Sequence, residues 1–204
     1  LFETAIALIG ERGYEAATLR DVAARAGVSV GLLYRYFPSK RAIVFALYDE
    51  LSGAYARDAA ELPTGRWRDR FIAALESSLR VLGPHRVTLR ALVPVLVGDV
   101  EEGVFAASSA YSRRRVQAVF RSAVADATDA PGPALADALG RLLYLLHLAV
   151  LLWWLLDKSP RQRATHALVA LLGQMLPSAA LTLRLPPVRR FVQSADRLFQ
   201  EALL

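Results

Sequence analysis

The chain has 204 residues, 25 basic against 19 acidic, a formal charge of +6, and Lys40 and Lys158 as its only lysines. This arginine-rich balance favours an anionic partner, and the apolar content suffices for a real core. Cysteine is absent, which excludes disulfides and thiolate chemistry and is compatible with the cytoplasmic location expected here. His85, His147 and His166 stand apart in the sequence, with no Gly-rich phosphate loop and no metal-ligand spacing, so no catalytic site, metal or cofactor is expected.

Leu1 already lies inside a helical pattern, so a basic arm before it is expected to be missing, and nothing at that end resembles a signal peptide. Phe2, Ala5, Ile6 and Ile9 form the apolar stripe of a first helix that Gly13 ends before Tyr14. Thr18 is a good N-cap, and Asp21 places negative charge in the first turn of the next helix. Leu19, Val22, Ala23 and Ala26 then share one face, leaving Arg20, Ala24 and Arg25 outward, and Gly27 sits where a left-handed C-cap is expected. Ser29 caps a third helix with Leu33 and Phe37 on its buried face and Val30, Leu32, Tyr34, Arg35 and Tyr36 around the rest. Small residues at Ser29 and Gly31 let this helix lie close to another surface.

Pro38 and Ser39 then read as stop and N-cap signals, yet Lys40 and Arg41 occupy the first turn, where the helix dipole disfavours cations. Two cations there suggest an external anion, for which a DNA phosphate is the natural candidate; extension of both side chains into solvent is the plainer alternative. Ile43, Leu47, Leu51 and Tyr55 continue this fourth helix to about Glu61, before Pro63-Thr64-Gly65. Further helices are expected at about 66 to 82, 84 to 97, 101 to 128, 134 to 157, 160 to 177 and 187 to 203. The breaks fall at Gly83-Pro84, Gly98-Asp99, Pro131-Gly132-Pro133, Ser159-Pro160 and Pro186-Pro187. No strand alternation and no internal repeat is evident.

The spacing Gly13-Tyr14, Thr18, Ala26-Gly27-Val28-Ser29, Gly31, Leu33-Tyr34, Tyr36-Phe37 and Ser39-Lys40 resembles the DNA-binding domain of the TetR (tetracycline repressor) family of bacterial transcription regulators. The likeness runs without a gap through roughly residues 2 to 47. It implies an all-α fold with a three-helix helix-turn-helix DNA-binding domain at 1–46 and a helical ligand-binding and dimerisation domain at 47–204. The implied function is that of a ligand-responsive repressor that binds a palindromic DNA operator as a homodimer and is released by a small-molecule effector, with no membrane involved. A dimer would place two short reading helices on the two halves of an inverted repeat.

By this resemblance Thr18, Tyr34 and Lys40 contact phosphates, while Arg20 and the outward face of the third helix, Ser29, Val30, Gly31, Leu32 and Arg35, face the bases, and Tyr36 can bond a base or a phosphate. Arg20 can bond guanine in a bidentate way, or else contact a phosphate or join an ion pair near Asp21. Val30 and Leu32 can meet thymine methyl groups or pack beneath the preceding helix. No Asn or Gln lies in the third helix, so adenine readout by an amide is not expected from it.

The segment Leu142 to Leu156, LLYLLHLAVLLWWLL, is apolar on every side except at His147 and must be covered all round. It is shorter than the roughly 20 residues a bilayer needs and is closely bracketed by charges, which argues against a span. The resemblance instead suggests a four-helix dimer interface with Trp153, Leu156, Leu168, Leu171, Leu172 and Met175 as contacts. It also implies an effector cavity in the body, for which Phe71, Leu75, Leu92, Leu96, Phe105 and Tyr111 are candidates, followed by Val116, Phe120, Tyr144, His147 and Leu151. Ordinary core packing is the alternative for each. Such a lining suits an apolar or aromatic ligand, with His147 as a polar anchor. Arg113, Arg114 and Arg115 read as a solvated helix face, or alternatively as recognition of an anionic headgroup. The competing function is a helical small-molecule or lipid carrier without specific DNA binding, which salt-dependent promoter binding would exclude.

Overall fold

A computed structural model describes residues 1–98 and 103–203, and its described residues form helices with no strand. These are α1 (Phe2–Arg12), α2 (Leu19–Ala26), α3 (Val30–Tyr36), α4 (Lys40–Asp58), α5 (Trp67–Leu82) and α6 (Arg86–Ala91), then α7 (Val93–Gly98), α8 (Ala110–Ala125), α9 (Pro133–Leu156), α10 (Arg163–Thr182) and α11 (Pro186–Leu203). The chain divides into two compact units, one of Leu1–Gly53 with Leu82–Arg113, the other of Ala54–Val81 with Arg114–Leu204.

The first unit is built on the apolar stripes expected from sequence. Ala5, Ile6, Leu8 and Ile9 of α1 meet Val22 and Ala23 of α2, Leu33 of α3, Ile43, Val44, Leu47 and Leu51 of α4, and Leu92. Segment 82–113 thus joins the helix-turn-helix in one core, through α6 above all. A Cβ on Gly10 would stand 2.9 Å from Thr88 Oγ1 but 3.8 Å from the Thr88 backbone, so the glycine leaves room for the Thr88 hydroxyl where α1 meets α6. Thr88 Oγ1 in turn donates to the Ile6 carbonyl at 3.3 Å.

The expected helix at 84 to 97 is two helices. Pro94 has no N–H to give the Arg90 carbonyl, and the chain resets at Leu92, whose own carbonyl accepts from Val95 and Leu96. The expected helix at 101 to 128 starts later, at Ala110. Ahead of it the Ser109 hydroxyl, with one proton to give, stands within 2.9 to 3.1 Å of the Gly103, Val104 and Ala106 carbonyls, and Arg113 donates to those of Val104 and Ala106 at 3.0 Å each. These side chains satisfy carbonyls that a continuous helix would have paired internally. Arg113 is therefore buried and not part of a solvated face, whereas Arg114 is exposed. The break expected at Gly98-Asp99 and the start expected at 101 fall against residues 99–102, outside the described residues.

In the second unit Phe71, Ala74 and Leu75 of α5, Phe120, Ala123 and Val124 of α8, and Tyr144 and Val150 of α9 are buried. Close approach of α8 and α9 depends on glycine, because a Cβ on Gly140 would lie 2.8 Å from Arg121 Cα. Arg70 is buried with its guanidinium shared among the carbonyls of Ala123, Pro63 and Ser122, at 3.1, 3.0 and 3.2 Å. A cation at the C-terminal end of α8 suits the helix dipole, and the three hydrogen bonds offset its desolvation. Arg141 of α9 and Asp196 of α11 form a two-pronged pair at 2.7 Å per bond.

The expected helix end at 177 is overrun: α10 continues through Pro177 to Thr182, leaving the Gly173 carbonyl without its usual donor. Segments Pro133–Leu156 and Pro160–Thr182 are each long and apolar enough to cross a membrane, by length and composition; 44% of the most apolar window is buried in the first and 17% in the second.

Candidate functional site

The helix-turn-helix is assembled from reciprocal caps. Thr18 Oγ1 accepts from the Asp21 N–H at 3.1 Å while Asp21 Oδ2 accepts from the Thr18 N–H at 3.1 Å and from its hydroxyl at 2.6 Å. Those bonds hold the Asp21 carboxyl below the usual range. At the other end Gly27 is left-handed, at φ 67°, ψ 31°, and the Val28 N–H returns to the Ala23 carbonyl at 3.0 Å. Ser29 Oγ accepts from the Leu32 N–H and Ser39 Oγ from the Ala42 N–H, each at 3.1 Å, so α3 and α4 are capped as their sequences require.

This scaffold presents α3 outward. Leu33, wholly buried, is the residue that anchors the helix. Val30, Leu32, Tyr34 and Tyr36 are exposed to 37, 40, 49 and 64%, and Ser29, Gly31 and Arg35 are exposed with them. The apolar pair therefore does not pack beneath α2. A Cβ built on Gly31 would meet nothing within 4 Å, so whatever surface the small residue lets the helix approach lies outside the chain's described residues.

Charges around this face are not equally available. Arg25 pairs with both carboxylate oxygens of Glu11, one at 2.8 Å, which lowers the Glu11 carboxyl below its ordinary value and fixes α2 against α1. Arg12 lies 3.7 Å from Asp21. Arg20 and Arg35 are exposed and make no hydrogen bond or ion pair among the described residues, so the alternative of an Arg20 ion pair near Asp21 is not realised.

Lys40 departs from its expected role as a free cation. Its Nζ donates to the Tyr14 and Glu15 carbonyls, the second at 3.2 Å, and lies 4.3 Å from the centre of the Tyr14 ring. A cation in the first turn of α4 is thus accounted for internally, by carbonyl oxygens and an aromatic face. Thr18 is exposed, but its hydroxyl proton is committed to Asp21. The Lys40 partnership is not visible from local sequence: Gly13-Tyr14 and Ser39-Lys40 belong to one motif, yet nothing in their spacing says that one side chain reaches the other.

The candidate effector-lining residues divide between the units. Phe71, Leu75, Val116, Phe120, Tyr144 and His147 are buried in the second unit, and Leu151 is half-buried there. His147 lies against Phe120, ring centres 4.7 Å apart, and stacks on Tyr55 at 5.9 Å. Its Nε2 shares a 2.8 Å hydrogen bond with Ser78 Oγ, while Nδ1 is buried without a partner among the described residues. Burial pushes this imidazole down to about 3, so it is neutral at physiological pH, and burial likewise raises the Tyr55 phenol. Gln117 Nε2 is a second buried atom without a hydrogen bond. Leu92 and Leu96 instead pack in the first unit's core, and Phe105 is half-buried in that unit. Tyr111 is 64% exposed, a correction to its expected place in a cavity lining: at the second position of α8 it faces solvent.

Of the residues expected at a dimer contact, Trp153, Leu156, Leu171 and Met175 are half or more exposed, and Leu168 and Leu172 are half-buried. A row of large apolar side chains left open on α9 and α10 is more than scattered surface hydrophobicity.

Residues 1–47 match the sequence profile of bacterial regulatory proteins of the tetR family. An uncharacterized HTH-type transcriptional regulator of Mycobacterium tuberculosis is 30% identical over 178 residues, covering 83% of this chain and 82% of its own. The HTH-type transcriptional repressor KstR of Rhodococcus jostii is 45% identical over 67 residues, 32% of this chain and 31% of its own. Among solved structures, a tetR-family transcriptional regulator from Streptomyces coelicolor matches the fold with a TM-score of 0.64 at 22% identity, over 98% of this chain and 95% of that one. With a matching helix-turn-helix, a relative aligned over most of both chains and an all-helical fold of the same kind, this chain belongs to the TetR family of bacterial regulatory proteins, DNA-binding transcription regulators and not enzymes.

Proposed function

We propose that the protein is a cytoplasmic repressor that binds an inverted-repeat operator as a homodimer through α3 and leaves it when a small, largely apolar effector enters the helical body. The observation that carries this reading is α3 itself, seven residues long with Leu33 buried and all the others exposed. A helix so short has little stability of its own, and it spends its surface on a partner that is not in the chain. In this reading Val30, Leu32 and Tyr36 meet base edges and thymine methyls, Arg20 and Arg35 supply uncompensated charge, and Tyr34 contacts the backbone. Lys40 acts mainly by fixing the α1–α2 connection against α4, with any phosphate contact secondary.

Residues 1–46 are assigned the DNA-binding role and 47–204 regulation and dimerisation, the latter over the exposed apolar face of α9 and α10. The name of KstR, a repressor, supports repression here, though its match covers only 32% of this chain. The orphaned His147 Nδ1 and Gln117 Nε2 supply a polar anchor for an otherwise apolar effector. Segment 82–113 offers the route to the head, because it shares the core of α1 to α4 and its α6 abuts α1 at Gly10. An effector that favours a different placement of α6 shifts the population of heads able to dock.

Fluorescence anisotropy with the promoter DNA of the protein's own gene tests the reading. Specific binding should exceed binding to random DNA and weaken steeply as salt rises. Equal affinity for both DNAs would leave a ligand carrier as the better account.

A further inference from the structure

A cleft of about 440 Å³ opens in the second unit where the start of α5, the approach to α9 and the α10–α11 turn come together. Its floor is apolar, with Trp67, Leu135, Pro177 and Leu183, and Arg66, Arg68, Arg184 and Arg189 surround it. Against these four guanidiniums the lining holds one carboxylate, Asp129, already engaged: Oδ1 accepts from the Trp67 N–H at 2.8 Å and Oδ2 stands 3.7 Å from Arg68.

Arg68 is the telling member. Its side chain is only 15% exposed, and its two carboxylate neighbours, Asp69 and Asp129, both lie at 3.7 Å, beyond hydrogen-bond distance. A guanidinium has five N–H donors, so Arg68 keeps donors that neither carboxylate takes up. Arg66 and Arg184 are exposed and have no ion pair among the described residues. Arg189 is held in position by its Nε, which donates to the Leu183 carbonyl at 2.9 Å.

We propose that this cleft binds a small amphiphilic anion, a carboxylate or phosphate head carried on an apolar chain or ring. The head pairs with Arg68 and Arg189, whose planar donor forks suit either group, and the apolar body lies on Trp67, Leu135 and Leu183. The volume falls within the range of small-molecule sites. The cleft lies wholly in the second unit and its lining includes none of the residues assigned to DNA or to the interior around His147.

Isothermal titration calorimetry of the full chain with decanoate, decyl phosphate, decanol and inorganic phosphate tests this, on wild type, R68Q/R189Q and R66Q/R184Q. One of the two anionic amphiphiles should bind at least tenfold more tightly than decanol and than inorganic phosphate, and both double variants should lose at least fivefold of that affinity. Should R68Q/R189Q fail to fold, R66Q/R184Q alters only exposed side chains and carries the test alone. Equal binding of decanol would remove the anionic requirement and overturn the proposal. So would equal binding of inorganic phosphate, undiminished affinity in the arginine variants, or no binding of either amphiphile.

Discussion

Leu32 and Leu33 are neighbours in α3 with opposite surroundings, and replacing each by alanine separates packing from recognition. Leu33 is 0% exposed at the centre of the first unit's core, whereas Leu32 is 40% exposed. Truncating a fully buried leucine removes its transfer free energy and leaves a cavity, together about 2 to 5 kcal/mol. Because α3 has Leu33 as its buried anchor, little else resists the loss, and the cost should fall in the upper half of that range. Set against a typical domain stability of about 5 to 15 kcal/mol, L33A should move the urea midpoint strongly. L32A should shift stability by no more than about 0.5 kcal/mol. It should nevertheless weaken operator binding by roughly tenfold, about 1.4 kcal/mol, through loss of an apolar base contact. Urea unfolding followed by helical circular dichroism gives the first quantity, and anisotropy on a selected operator at one fixed salt concentration gives the second. Equal destabilisation by the two variants, or wild-type operator affinity in L32A, would refute the reasoning.

Asp196→Ala should cost about 3 to 5 kcal/mol in a denaturation experiment, because it strands the Arg141 guanidinium, whose side chain is only 22% exposed, whereas the paired change R141M/D196L should recover much of the loss. His147 should make stability depend on acidity: with its native value pushed down to about 3, the unfolded chain takes up a proton between about pH 6.5 and 3 that the folded chain refuses. Stability should therefore fall as pH drops through that window, by roughly 4 to 5 kcal/mol at full extent, and unfolding curves of His147→Asn should lose that part of the slope. The double variant L171E/M175E, altering exposed residues of α10, should sediment as a monomer at micromolar concentration while keeping its helical circular dichroism; a dimer of unchanged affinity would place the subunit contact elsewhere.

How much of this was legible in the sequence depended on the range of the forces involved. The caps at Thr18, Ser29 and Ser39, the left-handed Gly27 and the buried Leu33 all follow from residues within a few positions of one another, and the structure has each of them as read. Helix ends were less legible where proline was concerned. Pro94 splits an expected helix while Pro177 is carried inside one. The run Arg113 to Arg115 shows a similar limit: consecutive helical residues point about 100° apart, so one buries its guanidinium against loop carbonyls while the next is exposed.

By itself the sequence determined an all-helical chain with a capped helix-turn-helix and a family resemblance, because capping, periodicity and turn chemistry act over one or two turns. Only the tertiary structure decided where the charges go. Arg25 meets Glu11 fourteen positions away, Lys40 reaches Tyr14 across twenty-six, and Arg141 finds Asp196 across fifty-five. The four arginines of the cleft come together from opposite ends of the second unit's sequence. A cation's partner is set by which helix faces lie within about 4 Å after packing, and a linear pattern does not contain that distance.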